Sequence, residues 1–223
     1  MAIKSDREYR NFQAFELRAE PDASDTERGG FVEGYASTFE PYDLFTYTND
    51  LGETEIWREQ IDRGAFKGAD MSDVVFLRDH EGQVYARTKN GLIELTVDDG
   101  GLFTRTDLSK TSGAREMYED IEAGNYTQMS FAFRVKNSIW ETFREDAAIV
   151  YKRTITEIEK LYDISAVAFP ANPTTNISPA TRAAFDGAIE SIRAEGLEAE
   201  RREQEQARAE LELKLKLMEV NHD

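Results

Sequence analysis

NYTQMSFAFRV, residues 125–135, is the stretch of the sequence that decides the fold. Successive side chains of a β-strand point to opposite faces, so every second residue of an extended stretch shares one side. The apolar side chains that share one side here are Met129, Phe131, Phe133 and Val135. This alternation predicts a strand with one buried face. Ser130 falls on the other face, where its hydroxyl could meet a substrate, although most outward serines in sheets are only small polar residues.

Short β-rich runs separated by turn residues continue on both sides of this strand, over residues 10–178. The predicted strands are 11–18, 31–39, 73–78, 92–97, 102–108, 126–135, 149–158 and 162–169. Tight turns between several of them are supplied by Gly29-Gly30, Asn90-Gly91 and Asp99-Gly100-Gly101. Spacing of this kind predicts a mainly β fold, built as a closed or nearly closed antiparallel sheet.

One predicted helix interrupts the strands just before Ser130. Ser112 is a candidate N-cap, and Gly124 ends the pattern. The apolar residues between them recur at the i, i+3, i+4 and i+7 positions of one helix face: Ala114, Met117, Tyr118 and Ile121. We therefore predict an amphipathic helix that leads directly into the strand carrying Ser130.

Residues 179–223 differ from the rest of the chain because they consist mostly of Ala, Glu, Arg, Leu and Lys. We place the boundary between Pro170 and Pro179 and predict one folded domain over 1–178, followed by an acidic tail over 179–223. Two apolar patterns occur in the tail: a helical stripe at Phe185, Ala188, Ile189 and Ile192, and a strand-like alternation at Leu211, Leu213, Leu215 and Leu217. Residue propensity favours a helix throughout, and its exposed apolar face requires a partner.

The formal net charge of the chain is −17, from 44 acidic and 27 basic residues. Such a charge opposes binding to a phosphate backbone, so we expect no nucleic-acid partner. No stretch approaches the roughly 20 apolar residues of a membrane span, and the first residues, MAIKSDREYRNF, lack the apolar core of a secretion signal. We expect no membrane partner and a protein that stays in the cytoplasm in which it is made.

The 223 residues include no cysteine and only two histidines. The lack of cysteine excludes disulfides, thiolate nucleophiles and cysteine-based metal sites, so covalent catalysis would need another nucleophile. His222 lies next to the chain end, where chains are usually loose. His80 is therefore the candidate for any histidine chemistry.

His80 follows the apolar run DVVFLR of residues 73–78. A residue just past a strand lies on a loop held by a rigid scaffold, which is a common place for catalytic groups. A free imidazole has a pKa of about 6.5 and is mostly neutral at pH 7, so it can accept a proton from serine. Without further evidence, a surface histidine in a polar turn is the favoured interpretation. Zinc is less favoured still, because one histidine with Asp79 and Glu81 offers too few fixed ligands.

Asp163 interrupts an otherwise apolar run within KLYDISAVAFPANP, residues 160–173. The side chains that share its face are Leu161, Ser165 and Val167. An acid in such a place is buried and needs a partner, which His80 would supply. An acid that binds nearby backbone N–H groups, or pairs with Lys160, explains the same pattern equally well.

Together these segments resemble the prohead maturation proteases of tailed bacteriophages, a family thought to share its fold with the herpesvirus assemblins. Five segments carry the resemblance, in the order of the family: GYASTF at 34–39, DRGAF at 62–66, LRDH at 77–80, the stretch 124–133 with Met129-Ser130-Phe131, and DISAVAFPANP at 163–173. They span roughly residues 30–175. Each motif is weak alone, but a histidine before the serine and an acid after it make the set fairly specific.

The resemblance implies an assemblin-like β-barrel with flanking helices and a C-terminal helical tail. It also implies a serine endopeptidase that cleaves the scaffolding segment of the phage major capsid protein, or a separate scaffold, inside the immature prohead. Ser130 would be the nucleophile and His80 the general base, with Asp163 orienting the imidazole, and no metal or organic cofactor is expected. The tail would bind capsid or scaffold subunits or a second copy of the chain, and the chain would also cleave itself.

Several alternatives stay open at this point. The assemblins have a second histidine as the third catalytic residue, and this chain has none available in its body. Asp79 and Glu81 therefore compete with Asp163 for the third position. A chain extended past Arg78 would turn both of these acids away from the face of His80. A non-catalytic capsid-assembly or scaffold protein with a protease-like domain is a further possibility. An acidic β-barrel binding module unrelated to phage is another, and it predicts no activity that depends on Ser130.

Overall fold

The computed structural model describes residues 7–21, 30–49 and 51–168, together with 187, 201, 202, 205 and 208. The chain forms two units, Met1–Ala180 and Thr181–Asp223. In chain order, the described strands are β1 (Glu8–Glu16), β2 (Arg18–Pro21), β3 (Gly30–Thr38), β4 (Tyr42–Thr48), β5 (Thr54–Ile61), β6 (Val75–Arg78), β7 (Glu81–Arg87), β8 (Ile93–Val97), β9 (Gly101–Asp107), β10 (Gln128–Glu145) and β11 (Ala148–Val167). The helix α1 (Ser112–Glu122) lies between β9 and β10, and a short 3-10 turn covers Thr88–Asn90.

The strands form two sheets. The larger sheet has seven strands in the order β1-β10-β11-β5-β4, with β6 beside β11 and β7 beside β6. β11 pairs in parallel with β5 along its first half and with β6 along its second half, and the other pairs of this sheet are antiparallel. The smaller sheet is antiparallel, with the order β2-β3-β9-β8.

The prediction of a mainly β fold with a helix is confirmed, whereas the prediction of a closed antiparallel sheet is wrong for the described strands. β1 and β4 are the two ends of the main path of the larger sheet and do not pair with each other. β11 is 20 residues long and pairs with both β5 and β6 on one side and with β10 on the other. These parallel pairs need crossover connections, which a sequence pattern of short strands and tight turns does not reveal.

β10 and β11 form one long hairpin. The sequence predicts two strands, 149–158 and 162–169, where the structure has the single strand β11, and Phe169 lies outside the described residues. Buried Ile155, Ile158 and Leu161 are three positions apart rather than two, because β11 bulges repeatedly against β10. Each bulge moves the alternation of buried and exposed side chains by one residue. The strand therefore continues although the two-residue apolar pattern in its sequence is interrupted.

β4, β5 and β7 are not predicted by the sequence pattern. Every second side chain of β5 is buried, but two of these four side chains are Glu55 and Glu59. On the buried face these two glutamates alternate with Trp57 and Ile61. The sequence of β5 therefore lacks the apolar residue at every second position that predicts a strand. β4 and β7 are mostly exposed, so they carry little apolar pattern.

The helix α1 has the predicted buried face. Its N-cap is Thr111 rather than Ser112, because the Thr111 hydroxyl accepts a hydrogen bond from the Ala114 N–H at 3.2 Å. The chain leaves the helix through Gly124, whose φ of 80° is a left-handed conformation that favours glycine. The helix and this turn together set where β10 begins.

The described residues of the tail, namely 187, 201, 202, 205 and 208, are helical. The predicted stripe at Phe185 to Ile192, apart from residue 187, lies outside the described residues. So do the alternating leucines of 211–217 and the boundary at Pro170 to Pro179. The division of roles between 1–178 and 179–223 stays a prediction.

Candidate active site

Ser130 lies within the larger sheet, on β10 between β1 and β11. Its neighbours Met129 and Phe131 pack into the apolar core, as the alternation predicts. Ser130 lies on the other face, but that position is not open to solvent, because the exposed fraction of Ser130 is 0%. The backbone of β1 runs alongside, with Asn11 opposite Ser130, and the imidazole of His80 lies on the hydroxyl.

His80 occupies a tight turn rather than an extended chain. Arg78 pairs with Glu81, so Asp79 and His80 are the two central residues of the hairpin between β6 and β7. Their φ angles are 48° and 62°, which matches a two-residue hairpin turn but is unfavourable for residues other than glycine. The Asp79 N–H donates to the Ala166 carbonyl at 3.0 Å, so β11 holds the turn in place.

The turn places His80 between Ser130 and Asp163. Nε2 of His80 lies 2.5 Å from Oγ of Ser130, and Nδ1 of His80 lies 2.6 Å from Oδ1 of Asp163. The three residues come from β10, the β6–β7 turn and β11, and the carboxylate of Asp163 is 2% exposed. The structure therefore brings Asp163 against the imidazole. Turning Asp79 and Glu81 away from His80, as the sequence suggested, requires an extended chain after Arg78, and the chain turns there instead.

Ser165 adds a fourth polar group to this chain of contacts. Its Oγ donates to Oδ1 of Asp163 at 3.0 Å and accepts the backbone N–H of His80 at 3.2 Å. Ser165 shares a face of β11 with Asp163, as the sequence pattern indicated, and it is fully buried. It thus links the carboxylate to the turn that carries the imidazole.

The hydrogen bonds define what this arrangement can do chemically. A carboxylate can only accept, so Nδ1 of His80 carries the proton and Nε2 presents a lone pair to Ser130. The single proton of the Ser130 hydroxyl has two acceptors within reach, Nε2 of His80 and the carbonyl oxygen of Arg10 at 3.0 Å. A hydroxyl held in this way can pass its proton to the imidazole as its oxygen attacks an electrophile.

Residues at the start of β1 surround the same three groups. The ring of Tyr9 packs edge-on against His80, with ring centroids 4.7 Å apart. Nη1 of Arg7 lies 4.0 Å from Oδ2 of Asp163, and its guanidinium lies over the ring of Tyr162. Tyr9 of β1, and Arg7 just before this strand, therefore lie on the Ser130 side of the sheet.

Glu8 and Arg10 of β1 enter a buried charge cluster on the opposite face. The cluster consists of Glu8, Arg10, Glu59 and Arg153, with the hydroxyl of Tyr42. Arg10 binds Glu59 through two of its nitrogens and also binds Glu8, and Arg153 binds Glu8 and Glu59. None of these residues stood out in the sequence, where the available signal was two glutamates at alternate positions of 54–61.

Burial raises the pKa of Glu8, but the guanidinium groups of Arg10 and Arg153 outweigh burial and lower the pKa from 4.5 to about 2. A carboxyl with a lowered pKa in the folded state stabilises the fold fully above pH 4.5. That contribution is lost as the pH falls towards about 2, where Glu8 takes up a proton.

We therefore expect the free energy of unfolding to fall between pH 5 and pH 2, by on the order of a few kcal/mol from this carboxylate. The measurement uses the Ser130→Ala chain, because the wild-type chain is expected to cleave itself. Denaturant titrations at half-unit pH intervals measure this dependence. In a Glu8→Gln background the decrease should be smaller, since glutamine does not titrate. Equal decreases in both chains would show that Glu8 does not carry the effect.

A family model for the caudovirus prohead serine proteases matches residues 14–187 of the chain, which include Ser130, His80 and Asp163. The chain belongs to this family. No curated protein and no solved structure matches it. As a caudovirus prohead serine protease, the protein is a hydrolase with a proteolytic role in phage maturation. The described strands form no closed barrel, and the expected likeness to the assemblin fold stays a prediction.

Two further findings concern the described part of this prohead protease. It contains no group of three or more His, Asp or Glu side chains that could hold a metal ion. In the same residues, no helix is long and apolar enough to cross a membrane.

Proposed function

We propose that Ser130 is the nucleophile of this prohead protease, that His80 is its general base and that Asp163 orients the imidazole. The observation that carries the proposal is the unbroken line of contacts Ser130–His80–Asp163, with distances of 2.5 and 2.6 Å. Three residues that are 50 and 83 positions apart meet in the order that proton transfer requires. Burial of all three side chains strengthens these interactions, because little water competes for them.

The chemistry follows from the atoms in contact. Oγ of Ser130 attacks the scissile carbonyl carbon as Nε2 of His80 takes its proton, and the same nitrogen then protonates the leaving amine. Water next attacks the acyl-enzyme as Nε2 of His80 takes its proton. The bond between the acyl carbon and Oγ then breaks, His80 returns the proton to Oγ, and the carboxylic acid product leaves. Asp163 keeps the proton on Nδ1 throughout and stabilises the imidazolium.

The proposed substrates are the scaffolding segment of the phage major capsid protein, or a separate scaffold, and the protease itself. We infer that this cleavage takes place in the maturing prohead, within the cytoplasm of the host; membership of the prohead protease family supports the prohead as its place. The acidic tail, 179–223, would bring the enzyme there by binding capsid or scaffold subunits or a second copy of the chain. The sequence predicts an apolar helix face in this tail, and apolar helix faces bind partner proteins in many complexes.

The test is co-production of the protease with the major capsid protein of the same phage. We expect fragments of the capsid protein with new N-termini, identified by mass spectrometry, in the presence of the wild-type chain and not of Ser130→Ala. Cleavage that persists with the alanine variant would contradict the assignment of the nucleophile. A capsid protein that stays intact with both chains would contradict the proposed substrate.

Ser165 is a positioning residue in this scheme, because it touches Asp163 and the backbone of His80. We expect Ser165→Ala to lower the rate of cleavage about 10- to 100-fold, which is the usual range for losing a buried hydrogen bond to a charged group. Initial rates on a purified capsid protein measure the effect. Ser138→Ala, a serine on β10 away from the three residues, is the matched control and should cleave at the wild-type rate. Equal rates for the two variants would remove Ser165 from the mechanism.

A further inference from the structure

The N-terminal strand of this chain lies where a substrate strand would have to lie. β1 is an edge strand that pairs with β10 in antiparallel fashion, and Asn11 is opposite Ser130. The carbonyl oxygen of Arg10 is 3.0 Å from Oγ of Ser130. Extended peptides commonly bind proteases and other proteins by adding a strand to the edge of a sheet, and without β1 that edge would be β10. The Arg10–Asn11 peptide bond is thus the backbone bond of β1 whose carbonyl oxygen contacts the hydroxyl of Ser130.

The side chain of Arg10 fills a buried site of opposite charge. Nε and Nη2 of Arg10 bind the two carboxylate oxygens of Glu59, the latter at 2.7 Å. Glu59 is 0% exposed and also accepts a hydrogen bond from the hydroxyl of Tyr42 at 2.6 Å. A two-pronged contact of this kind matches the planar guanidinium and is not reproduced by lysine. This site therefore selects arginine.

A second site lies two residues earlier on the same face of β1. Both oxygens of Glu8 bind Arg153, with Nη1 at 2.7 Å and Nη2 at 3.1 Å. Residues 8 and 10 point to the same side because β1 is extended. The two sites together fit the pattern Glu-X-Arg, with cleavage after the arginine.

Glu59 and Arg153 also contact each other, at 3.2 Å. When no strand occupies the edge of β10, each still has a partner of opposite charge, so an empty cleft leaves neither ion unpaired. A substrate with an acid in place of Arg10 would bring two carboxylates together, which is strongly unfavourable. The cluster can therefore both accept the right strand and reject the wrong one.

We propose that Glu59 and Arg153 are the specificity-determining residues of the protease, that they recognise Glu-X-Arg immediately before the scissile bond, and that the first substrate is the Arg10–Asn11 bond of the chain itself. The inference rests on the proposed role of Ser130. Glu8, Tyr9 and Arg10 precede residues 14–187, so the three recognised residues lie outside the stretch matched by the family model.

The step balances as an ordinary hydrolysis. The hydroxyl proton of Ser130 turns from the Arg10 carbonyl to Nε2 of His80, a bond forms between Oγ and the carbonyl carbon, and the Arg10–Asn11 C–N bond breaks. His80 passes the proton to the nitrogen of Asn11. Water then releases Arg10 as a free carboxylate, so the products are residues 1–10 and a chain that begins at Asn11.

The test uses the full-length protein and a synthetic peptide of its residues 5–16, SDREYRNFQAFE. We expect intact-mass spectrometry of the wild-type chain to show a product that begins at Asn11, and the Ser130→Ala chain to stay whole. Peptides with arginine, lysine, glutamine or glutamate at position 10 are then compared by kcat/KM. Arginine should exceed glutamine by on the order of 10²-fold, the usual effect of removing one partner from a buried charge pair. Glutamate should not be cleaved.

Enzyme variants separate recognition from folding. We expect Glu59→Gln to lower kcat/KM for the arginine peptide by on the order of 10²-fold while changing the glutamine peptide little, so that the preference disappears. Glu55→Gln, the same change at another buried position of β5, should keep the wild-type preference. A variant that merely folds poorly would lose activity on both peptides in proportion. The peptide series with the wild-type enzyme is unaffected by this difficulty.

Two further outcomes distinguish this inference from the proposed function. Cleavage of the capsid protein that depends on Ser130, together with an uncut Arg10–Asn11 bond or equal rates for arginine and glutamine peptides, overturns this inference and leaves the proposed function standing. The lack of any cleavage that depends on Ser130 overturns both.

Discussion

Replacing Ser130 with alanine should lower the rate of proteolysis about 10⁶-fold, the usual cost of removing the nucleophile of a serine protease. The side chain is fully buried against His80, and alanine removes only the oxygen that would form the acyl-enzyme. No other hydroxyl contacts Nε2 of His80 among the described hydrogen bonds, so no neighbouring group substitutes for it. Single-turnover assays on the purified capsid protein, followed by mass spectrometry, can measure so large an effect.

The Ser130→Ala chain should remain folded, because alanine fits the space of serine and the lost hydrogen bonds leave an imidazole that Asp163 still holds. Thermal unfolding of the variant and of the Ser138→Ala control should give similar midpoints. A rate within tenfold of wild type would exclude Ser130 as nucleophile. Loss of activity together with loss of cooperative unfolding would leave the defect structural, and Ser130→Cys, which restores a nucleophile of similar size, would then decide the question.

Replacing Asp163 with asparagine should lower the rate by up to about 10⁴-fold. The amide keeps the shape of the carboxyl, but it can donate to Nδ1 of His80 and so favour the tautomer that carries its proton on Nε2. It also cannot stabilise the imidazolium formed when Ser130 loses its proton. The rate should stay above that of Ser130→Ala, since nucleophile and base remain in place. Initial rates of capsid-protein cleavage near pH 8 give the comparison.

Asp70→Asn is the matched control for Asp163→Asn. Asp70 is exposed and pairs with Lys160 on β11 at 2.7 Å, so the same substitution near the same strand should leave the rate unchanged. Asp79→Asn and Glu81→Gln address the acids that the sequence left open, and both should retain activity. Wild-type activity in Asp163→Asn, with a large loss in one of the other two, would transfer the orienting role.

Through the buried charge cluster, β1 both pairs with buried charges and is held next to Ser130. Four ionised side chains are costly to bury unless each finds its partner, and the pairs from β1 satisfy that need for Glu59 and Arg153. The same pairs place the Arg10 carbonyl at Ser130. If Ser130 is the nucleophile, docking of the strand would therefore also bring a peptide bond to it. Protonation of Glu8 in acid would weaken both together.

The sequence alone determined which side chains share a face. The alternation around Ser130 separated it from Met129 and Phe131, the pattern of 160–167 placed Asp163 and Ser165 together, and the helical period identified α1. Each inference depends on a period of two or of 3.6 residues, which is a local property of the backbone. His80 needed no period, since the chain has one other histidine, next to its end.

The tertiary structure alone decided which strands are neighbours. Parallel pairing of β6 with β11 brings His80 to Asp163, and a two-residue turn with positive φ directs the imidazole towards Ser130. β1 pairs with β10 beside Ser130, which is buried in the structure. The sequence pattern did not reveal β5 because Glu55 and Glu59 occupy buried positions. Arg10 and Arg153 bind Glu59 there, and Tyr47 and Asn49 bind Glu55. Strand pairing and the burial of charge depend on contacts between residues distant along the chain, and a local period carries no record of them.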